Sequence, residues 1–152
     1  MVGSTPVPCG EETAMGESLG RPVLADIRDE WEWVGPGVEE IIANDPNLTF
    51  TAYDVYDACE AKQAILWVAD EGFVVATGET DPYTGKRTLL LWLAWAKERG
   101  HNLVAKYQDF FVMAAREAGF AKLETRSSVP ALQDYLPSLG WDVETVIYSR
   151  RL

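Results

Sequence analysis

Three apolar runs separated by turn-forming residues occupy the middle of the chain and constrain its fold more than any other feature. The first two, AILWVAD and GFVVATGET, meet at DEG (70–72), and a short turn between two such runs predicts a β-hairpin. A second turn, DPYTG (81–85), leads into RTLLLWLAWA. This third run is apolar without alternation, which is typical of a strand buried on both faces. The sequence therefore predicts a three-strand meander over 64–96.

The residues before this meander predict one strand and two short helices. The sequence ADIRDEWEWV (25–34) has apolar residues spaced as in a strand, and GPG then interrupts the chain. Because proline is favoured in the first turn of a helix, Pro36 is expected to open a short helix over 38–44. A second helix is expected from Thr51, which forms with Asp54 a variant of the capping box.

The residues after the meander predict two more helices and two strands. Apolar side chains recur at helical spacing between Asn102, a favoured N-cap, and Gly119, a favoured C-terminal residue. A strand is expected over 120–127, then a helix capped by Ser128, and a final strand over 141–152. The predicted order is β-α-α-β-β-β-α-β-α-β, which indicates a mixed α/β sheet with helices on both faces.

The first 25 residues lack any pattern that could form a packed element. Four glycines and three prolines interrupt every period, and the large apolar residues are scattered. Residues 1–25 are therefore predicted to be an extended arm that docks on a partner. An ordinary frayed terminus is the alternative. Residues 26–152 have a length typical of one domain and are expected to form a single folded unit.

The formal net charge of −11 lies entirely in the first 60 residues. Residues 1–60 hold 13 acidic and two basic side chains, whereas residues 61–152 hold 11 of each. An acidic surface disfavours direct binding to nucleic acid and suits a basic partner. We therefore expect other protein subunits to contact the 1–25 arm and the acidic 26–60 region. A solvated acidic surface that only keeps the protein soluble is the alternative.

Several protein classes are disfavoured by what the sequence lacks. No apolar run approaches the ~20 residues that cross a bilayer, and the N terminus does not resemble a secretory signal. Cys9 and Cys59 form neither a disulfide framework nor a metal motif, and His101 is the only histidine, so no metal site is expected. We expect a protein of a reducing compartment, in the cytoplasm or in a virion, without membrane contact.

The order of elements resembles that of the GNAT N-acetyltransferase superfamily. In that family an antiparallel meander feeds a helix that holds acetyl-CoA, a fifth strand splays away, and a short helix follows and ends in a Gly-aromatic pair. The corresponding segments here are 64–96, 102–118, 120–127 and 128–141. The resemblance implies a GNAT-like α/β fold, with a mixed, mostly antiparallel central sheet flanked by helices and preceded by the N-terminal arm.

The resemblance places a pyrophosphate loop at the start of the central helix. The family pattern Gln/Arg-x-x-Gly-x-Gly/Ala corresponds to KERGHN (97–102). The acetyl-CoA-binding residues that it implies are Lys97, Arg99, Gly100, His101 and Asn102. In such loops, small residues let backbone amides approach the phosphates. Here Lys97 replaces Gln or Arg, Asn102 replaces a small residue and Glu98 adds a negative charge, which together favour a loss of cofactor binding.

The resemblance also implies a catalytic acid on the last helix and a base on the sheet. The family often uses a Tyr after the fifth strand to protonate the leaving thiolate, and Tyr135 lies in the comparable place. Its spacing to Gly140 is one residue longer than usual, and Pro137 intervenes. The base would have to be Glu79 or Glu124, because LLLWLAW offers no carboxylate.

Two hypotheses of function follow from these features. In the first, the chain is a non-catalytic GNAT-like structural or assembly protein without a cofactor. It would resemble small GNAT-like proteins encoded among the structural genes of tailed bacteriophages, and would work as a homo-oligomer in a virion held by the arm. In the second, it is an active acetyl-CoA-dependent N-acetyltransferase with a divergent cofactor loop. The departures in the loop and the missing base favour the first.

Overall fold

The computed structural model describes residues 20–152, within which five strands form one sheet in sequence order. The strands are β1 (Val23–Ala25), β2 (Ala64–Ala69), β3 (Gly72–Thr80), β4 (Arg87–Ala96) and β5 (Lys122–Thr125). Neighbours from β1 to β4 pair antiparallel, and β5 pairs parallel with β4. The predicted mixed, mostly antiparallel sheet is therefore confirmed, and its meander lies where the apolar runs placed it.

Helices cover both faces of this sheet, as predicted. Within the described residues they are α1 (Ile27–Asn44), α2 (Ala52–Glu60), α3 (Leu103–Lys106), α4 (Gln108–Glu117) and α5 (Leu132–Ser138). One apolar core joins α1 and α2 to Leu66, Phe73 and Leu93, and a second joins α3 and α4 to Trp67 and Leu91. None of the helices within residues 20–152 has both the length and the apolar character to cross a membrane.

Strand β4 changes face through a β-bulge at Trp92. Val75 pairs with Leu93 and the next residue, Ala76, pairs with Leu91, so one extra residue lies in β4. In a regular strand Leu91 and Leu93 would point to the same face. Because of the bulge they belong to the two opposite cores, and both are buried. The prediction that this run is buried on both faces is confirmed, although Trp92 itself is only half-buried.

The predicted strand over 25–34 and the helix break at GPG are wrong. Residues 27–44 form one continuous helix, α1, with Pro36 in its interior. A Cβ on Gly37 would lie 2.7 Å from the Phe73 ring and 2.9 Å from the Trp95 ring. Glycine at position 37 therefore lets α1 approach the sheet closely, and the packing energy of this contact outweighs the poor helix propensity of the sequence.

Several local predictions around the other helices can be compared with the structure. The capping box of α2 is confirmed, since Thr51 accepts from the amide of Asp54 and the Asp54 carboxylate accepts from the amide of Thr51. Asn102 caps α3, and Gly119 has the predicted left-handed conformation with φ +83°. The predicted single helix over 102–118 is interrupted at Tyr107, which separates α3 from α4.

The C-terminal predictions need correction. Ser128 does not cap a helix; its hydroxyl instead contacts the Asp45 carboxylate at 3.2 Å, and α5 begins at Leu132 without a side-chain cap. The strand predicted over 120–127 is limited to β5. Residues 141–152 form no strand, although their apolar residues alternate as in one. Because side-chain alternation alone supplies no partner strand, it did not suffice here.

The start of the folded unit lies earlier than predicted. Val23–Ala25, which the prediction placed in the arm, form β1 and pair with β2. The carbonyl of Gly20 accepts a hydrogen bond from the Tyr107 hydroxyl at 2.5 Å, which ties residue 20 to α3 and α4. Residues 1–19, the greater part of the predicted arm, lie outside the described residues. Docking of this arm on a partner therefore stays a prediction.

Candidate functional site

The candidate site lies where β4 and β5 separate. The two strands pair only from Thr88 to Leu91 on β4, which then continues to Ala96 without β5. The bulge at Trp92 follows directly on the last paired residue. Phe50, from the loop between α1 and α2, packs on Trp92 with ring centroids 5.0 Å apart. The opening between the strands is therefore bordered by the α1–α2 loop and leads toward residues 97–102.

The predicted cofactor loop, 97–102, connects β4 to α3. Gly100 has φ +88°, and a Cβ there would meet no atom within 4 Å. The Asn102 side chain accepts a hydrogen bond from the amide of Ala105 at 2.9 Å, so it occupies a helix N-terminal donor that a phosphate would otherwise use. His101 Nε2 lies 3.5 Å from the Glu98 carboxylate, which brings a negative charge to the same loop.

The two cations at the start of this loop differ in their surroundings. The backbone amide of Lys97 donates to the carbonyl of Glu71 at 2.7 Å, and the Lys97 ammonium lies 5.0 Å from the centre of the Trp33 ring on α1. The side chain is therefore directed to the α1 face of the sheet. Arg99 is exposed and forms no ion pair within residues 20–152.

Sequence reasoning missed Glu71, which joins the β2–β3 turn to α3. Its carboxylate accepts from the Tyr107 hydroxyl at 2.8 Å and forms an ion pair with Lys106. Burial raises the pKa of Glu71, but the hydrogen bonds from Lys106 and Tyr107 outweigh it and hold that pKa below its usual range. The hydrogen bond with Glu71 raises the pKa of Lys106. The Lys106 ammonium, on the first turn after the loop, is therefore already paired with a carboxylate of the same chain.

The two predicted bases, Glu79 and Glu124, are brought together by the sheet. Arg126 donates from Nε to Glu124 at 2.6 Å and from an Nη to Glu79 at 3.0 Å. Lys122 adds a second cation 3.7 Å from Glu124. The hydrogen bond with Glu124 raises the pKa of Arg126, which therefore remains charged. Both carboxylates therefore already accept hydrogen bonds from Arg126 in a salt-bridge cluster, and a substrate amine would have to displace this guanidinium to reach them.

The predicted acid, Tyr135, lies on the exposed side of α5. Its side chain is 48% exposed. The helix is attached to α4 through Trp141, whose indole N–H donates to Gln108 at 2.9 Å, and through a bond from Gln108 to the carbonyl of Leu139. These contacts hold α5 through Leu139 and Trp141, which follow Tyr135 in the sequence, and none of them involves the Tyr135 side chain. The phenol has no hydrogen-bond partner within residues 20–152 that would direct it to the opening between β4 and β5.

Metal chemistry and thiol chemistry have no prepared site in the part of the chain that the structure describes. Within residues 20–152 no group of three or more His, Cys, Asp or Glu side chains is arranged to hold a metal ion. Cys59 on α2 is partly buried, and burial raises the pKa of its thiol to about 11. A thiol with such a pKa is protonated at neutral pH and is a poor nucleophile.

Comparison with known proteins shows the fold of this chain. No family model and no curated protein sequence matches it. A probable acetyltransferase of known structure superposes with a TM-score of 0.67 at 15% identity, over 87% of this chain and 97% of that one. Ribosomal-protein-alanine N-acetyltransferase from Brucella melitensis biovar Abortus 2308 superposes with a TM-score of 0.62 at 19% identity, over 87% and 99% of the two chains.

A plant enzyme gives the same result. Glucosamine-6-phosphate N-acetyltransferase from Arabidopsis thaliana superposes with a TM-score of 0.62 at 11% identity, over 86% of this chain and 97% of that one. These superpositions cover most of each chain, so these proteins share the overall fold of this chain. At such identities the likeness shows the fold alone. The chain has the GNAT N-acetyltransferase fold.

Proposed function

We propose that this chain is a GNAT-like scaffold that acts through protein contacts and not through acetyl transfer. The observation that carries this proposal is the salt-bridge cluster of Arg126 with Glu79 and Glu124. A general base must lie within hydrogen-bond reach of the proton that it accepts. Here Arg126 already donates hydrogen bonds to both carboxylates, so neither can contact a substrate amine until this cluster is broken.

The loop at the start of α3 supports the same proposal. Binding of a pyrophosphate at a helix N terminus uses backbone amides that have no other acceptor. Here Asn102 supplies an acceptor from the protein, and Glu98 places a carboxylate next to the loop. Both features oppose an anionic cofactor.

The charge of the chain supports a role in assembly. The acidic residues of 26–60 lie mainly on exposed positions of α1 and α2, so this face suits a basic protein subunit. The finer form of the proposal is a component of a bacteriophage virion, present in several copies and held by residues 1–19 as an arm. Its test compares the full chain with residues 20–152 for incorporation into the native particle. Equal incorporation of the two would contradict the role of the arm.

The cofactor part of the proposal is tested by calorimetric titration of the full chain with acetyl-CoA. We expect no binding at physiological cofactor concentration. A micromolar dissociation constant that is lost in Gly100→Trp would overturn the proposal. The double variant Glu98→Gln/Asn102→Gly provides a matched control, since Gly is tolerated at an N-cap at a cost of only a few tenths of a kcal/mol. A gain of binding in this variant would show that these two residues block the loop.

An active acetyl-CoA-dependent N-acetyltransferase is the second candidate function. It is favoured by the separation of β4 and β5 next to the bulge at Trp92 and by the likeness of the fold to that of a probable acetyltransferase. In this candidate Tyr135 would act as the acid and Glu79 or Glu124 as the base. Measurement of free thiol released from acetyl-CoA with a panel of amines tests it, with Tyr135→Phe as the matched variant.

A further inference from the structure

A cleft of about 220 Å³ lies on the exposed side of α1, where this helix meets the start of α2. It is lined by Trp31, Glu32, Gly35, Pro36, Glu39, Ala52 and Tyr53. Its volume is many times what one water molecule needs, and it is smaller than the usual cavity for a drug-sized ligand. None of its lining residues belongs to the 97–102 loop or to the cluster around Arg126, so it is a separate site.

The charge around this cleft is uniformly negative. Glu32 and Glu39 both line it and are exposed, and neither has an ion-pair partner in the part of the chain described, 20–152. Residues 26–60 contain ten acidic side chains and one base, Arg28. Arg28 pairs with Asp26 at 2.8 Å, so its positive charge does not neutralise the carboxylates of the cleft. A cationic ligand is therefore favoured and an anionic one is repelled.

The proline in α1 leaves one backbone carbonyl of a lining residue without its usual helical donor. In an α-helix the amide of residue 36 would donate to the carbonyl of Glu32, but proline has no N–H. The Glu32 carbonyl therefore lacks its helical donor, and Glu32 and Pro36 both line the cleft. A carbonyl and two carboxylates are acceptors only, which matches a ligand group made only of N–H donors.

Two aromatic rings form the apolar wall of the cleft. The rings of Trp31 and Tyr53 lie 6.2 Å apart with an angle of 38° between their planes. Trp31 is held in place by Tyr56, which packs edge-on at 5.1 Å, and by Gly35, whose missing side chain leaves room for the indole. Tyr53 is 71% exposed, although a tyrosine ring is largely apolar. Aromatic faces next to carboxylates are suited to a cation with a flat or apolar surface.

We propose that this cleft binds an arginine or lysine side chain presented by a basic segment of a partner protein. The guanidinium or ammonium group would donate to Glu32, Glu39 and the Glu32 carbonyl, while its apolar stem packs on Trp31 and Tyr53. This proposal rests on the part of the proposed function that assigns a basic protein partner to the acidic face of α1 and α2, and it does not depend on whether the chain transfers acetyl groups.

The test uses NMR titration of the full chain with a capped pentapeptide that carries one central arginine among glycines. We expect saturable shifts of the Trp31 indole N–H and the Tyr53 ring protons. The same peptide with citrulline, which is neutral and nearly isosteric, is expected to bind at least tenfold more weakly. Equal binding of the two peptides would overturn the proposal.

Two double variants, each of which removes two negative charges, distinguish binding in the cleft from attraction to the acidic face as a whole. Glu32→Gln/Glu39→Gln is expected to weaken the arginine peptide at least tenfold. Glu40→Gln/Asp57→Asn removes two exposed carboxylates from the same helices outside the cleft and is expected to weaken it less than threefold. Equal losses would mean that the peptide is attracted only by net charge, and the cleft would not be a site.

A third variant tests the aromatic wall without a change of charge. Tyr53→Ala is expected to weaken the arginine peptide severalfold, and Tyr53→Phe is expected to restore binding. Because Tyr53 is largely exposed, both variants should fold, which a circular dichroism spectrum checks. If Tyr53→Ala binds as the unmodified chain does, the aromatic wall takes no part and the proposed site is wrong.

Discussion

Replacement of Gly37 by alanine tests why α1 continues through a GPG sequence. Glycine costs about 1 kcal/mol relative to alanine in a helix interior, so helix propensity alone predicts that Gly37→Ala stabilises the protein. The packing predicts the opposite. The new Cβ would lie 2.7 Å from one carbon of the Phe73 ring and 2.9 Å from one carbon of the Trp95 ring. Distances this short require one of the neighbours to move.

The neighbours of Gly37 have little room to move. Phe73 is fully buried, and its ring stacks on Trp95 at 5.6 Å with an angle of 22°. Trp33 packs against Phe73 at 5.8 Å from another side. Insertion of a methyl group into such a core typically costs about 1–3 kcal/mol. After the gain of about 1 kcal/mol in helix propensity, we expect Gly37→Ala to lower the free energy of unfolding by about 0–2 kcal/mol instead of raising it.

Gly35→Ala is the matched control, two residues away on the same helix. The three atoms nearest to its Cβ would all belong to the Trp31 ring, at 3.0 Å or more, and Trp31 is half-buried, whereas Phe73 beside Gly37 is fully buried. We expect a change within about 0.5 kcal/mol of zero, because a small rearrangement offsets the gain in helix propensity. Urea unfolding of the full chain, followed by circular dichroism, measures both variants. If Gly37→Ala raised the free energy of unfolding by about 1 kcal/mol, as helix propensity alone predicts, the close approach of α1 would not explain its continuity.

Three further predictions concern the second core, a salt bridge and a cap. Phe111→Ala should lower the free energy of unfolding by about 3–5 kcal/mol, because the Phe111 ring is fully buried. Phe110 is only half-buried beside it, so Phe110→Ala should lower the free energy of unfolding distinctly less. Similar losses in the two variants would contradict the packing of this core. Hydrogen bonds from Arg28 lower the pKa of Asp26 from 3.8 to about 2. The stability that this contact contributes should therefore be present above pH 3.8 and be lost as the pH falls through 2. An NMR titration of the Asp26 carboxyl with a midpoint near pH 4 would refute this prediction. Thr51→Ala should cost about 1 kcal/mol in urea unfolding and Thr51→Ser almost nothing, and equal effects would argue against the capping box.

The candidate site was predicted from sequence only in its separate parts. Asn102 was correctly predicted as an N-cap, since a cap depends on a residue and an amide three positions away. Glu79 and Glu124 were both identified as carboxylates on the sheet. Their common contact with Arg126 was not, because it joins residues 47 positions apart and depends on the pairing of β4 with β5. Glu71 was seen only as a turn residue, although Lys106 and Tyr107 bind it from α3.

The sequence by itself determined the elements whose signals are local. The three strands of the meander follow from apolar runs and turn residues, and the cap of α2 follows from Thr51 and Asp54. In each of these, the groups that interact are close along the chain or are specified by the alternation of side chains. Such interactions form wherever the segment lies, so their pattern can be read without knowledge of the rest of the molecule.

Only the tertiary structure decided the elements that depend on distant partners. Residues 23–25 are too short to predict as a strand and become β1 because β2 offers an edge to pair with. Residues 141–152 alternate as a strand should and form none, because no edge is paired with them. The sequence 35–37 remains helical because the rings of Phe73 and Trp95 fill the space where a side chain would be. In all three, burial and hydrogen bonding across long sequence separations decide the structure against local propensity, although a glycine costs about 1 kcal/mol and a proline about 3 kcal/mol in a helix interior.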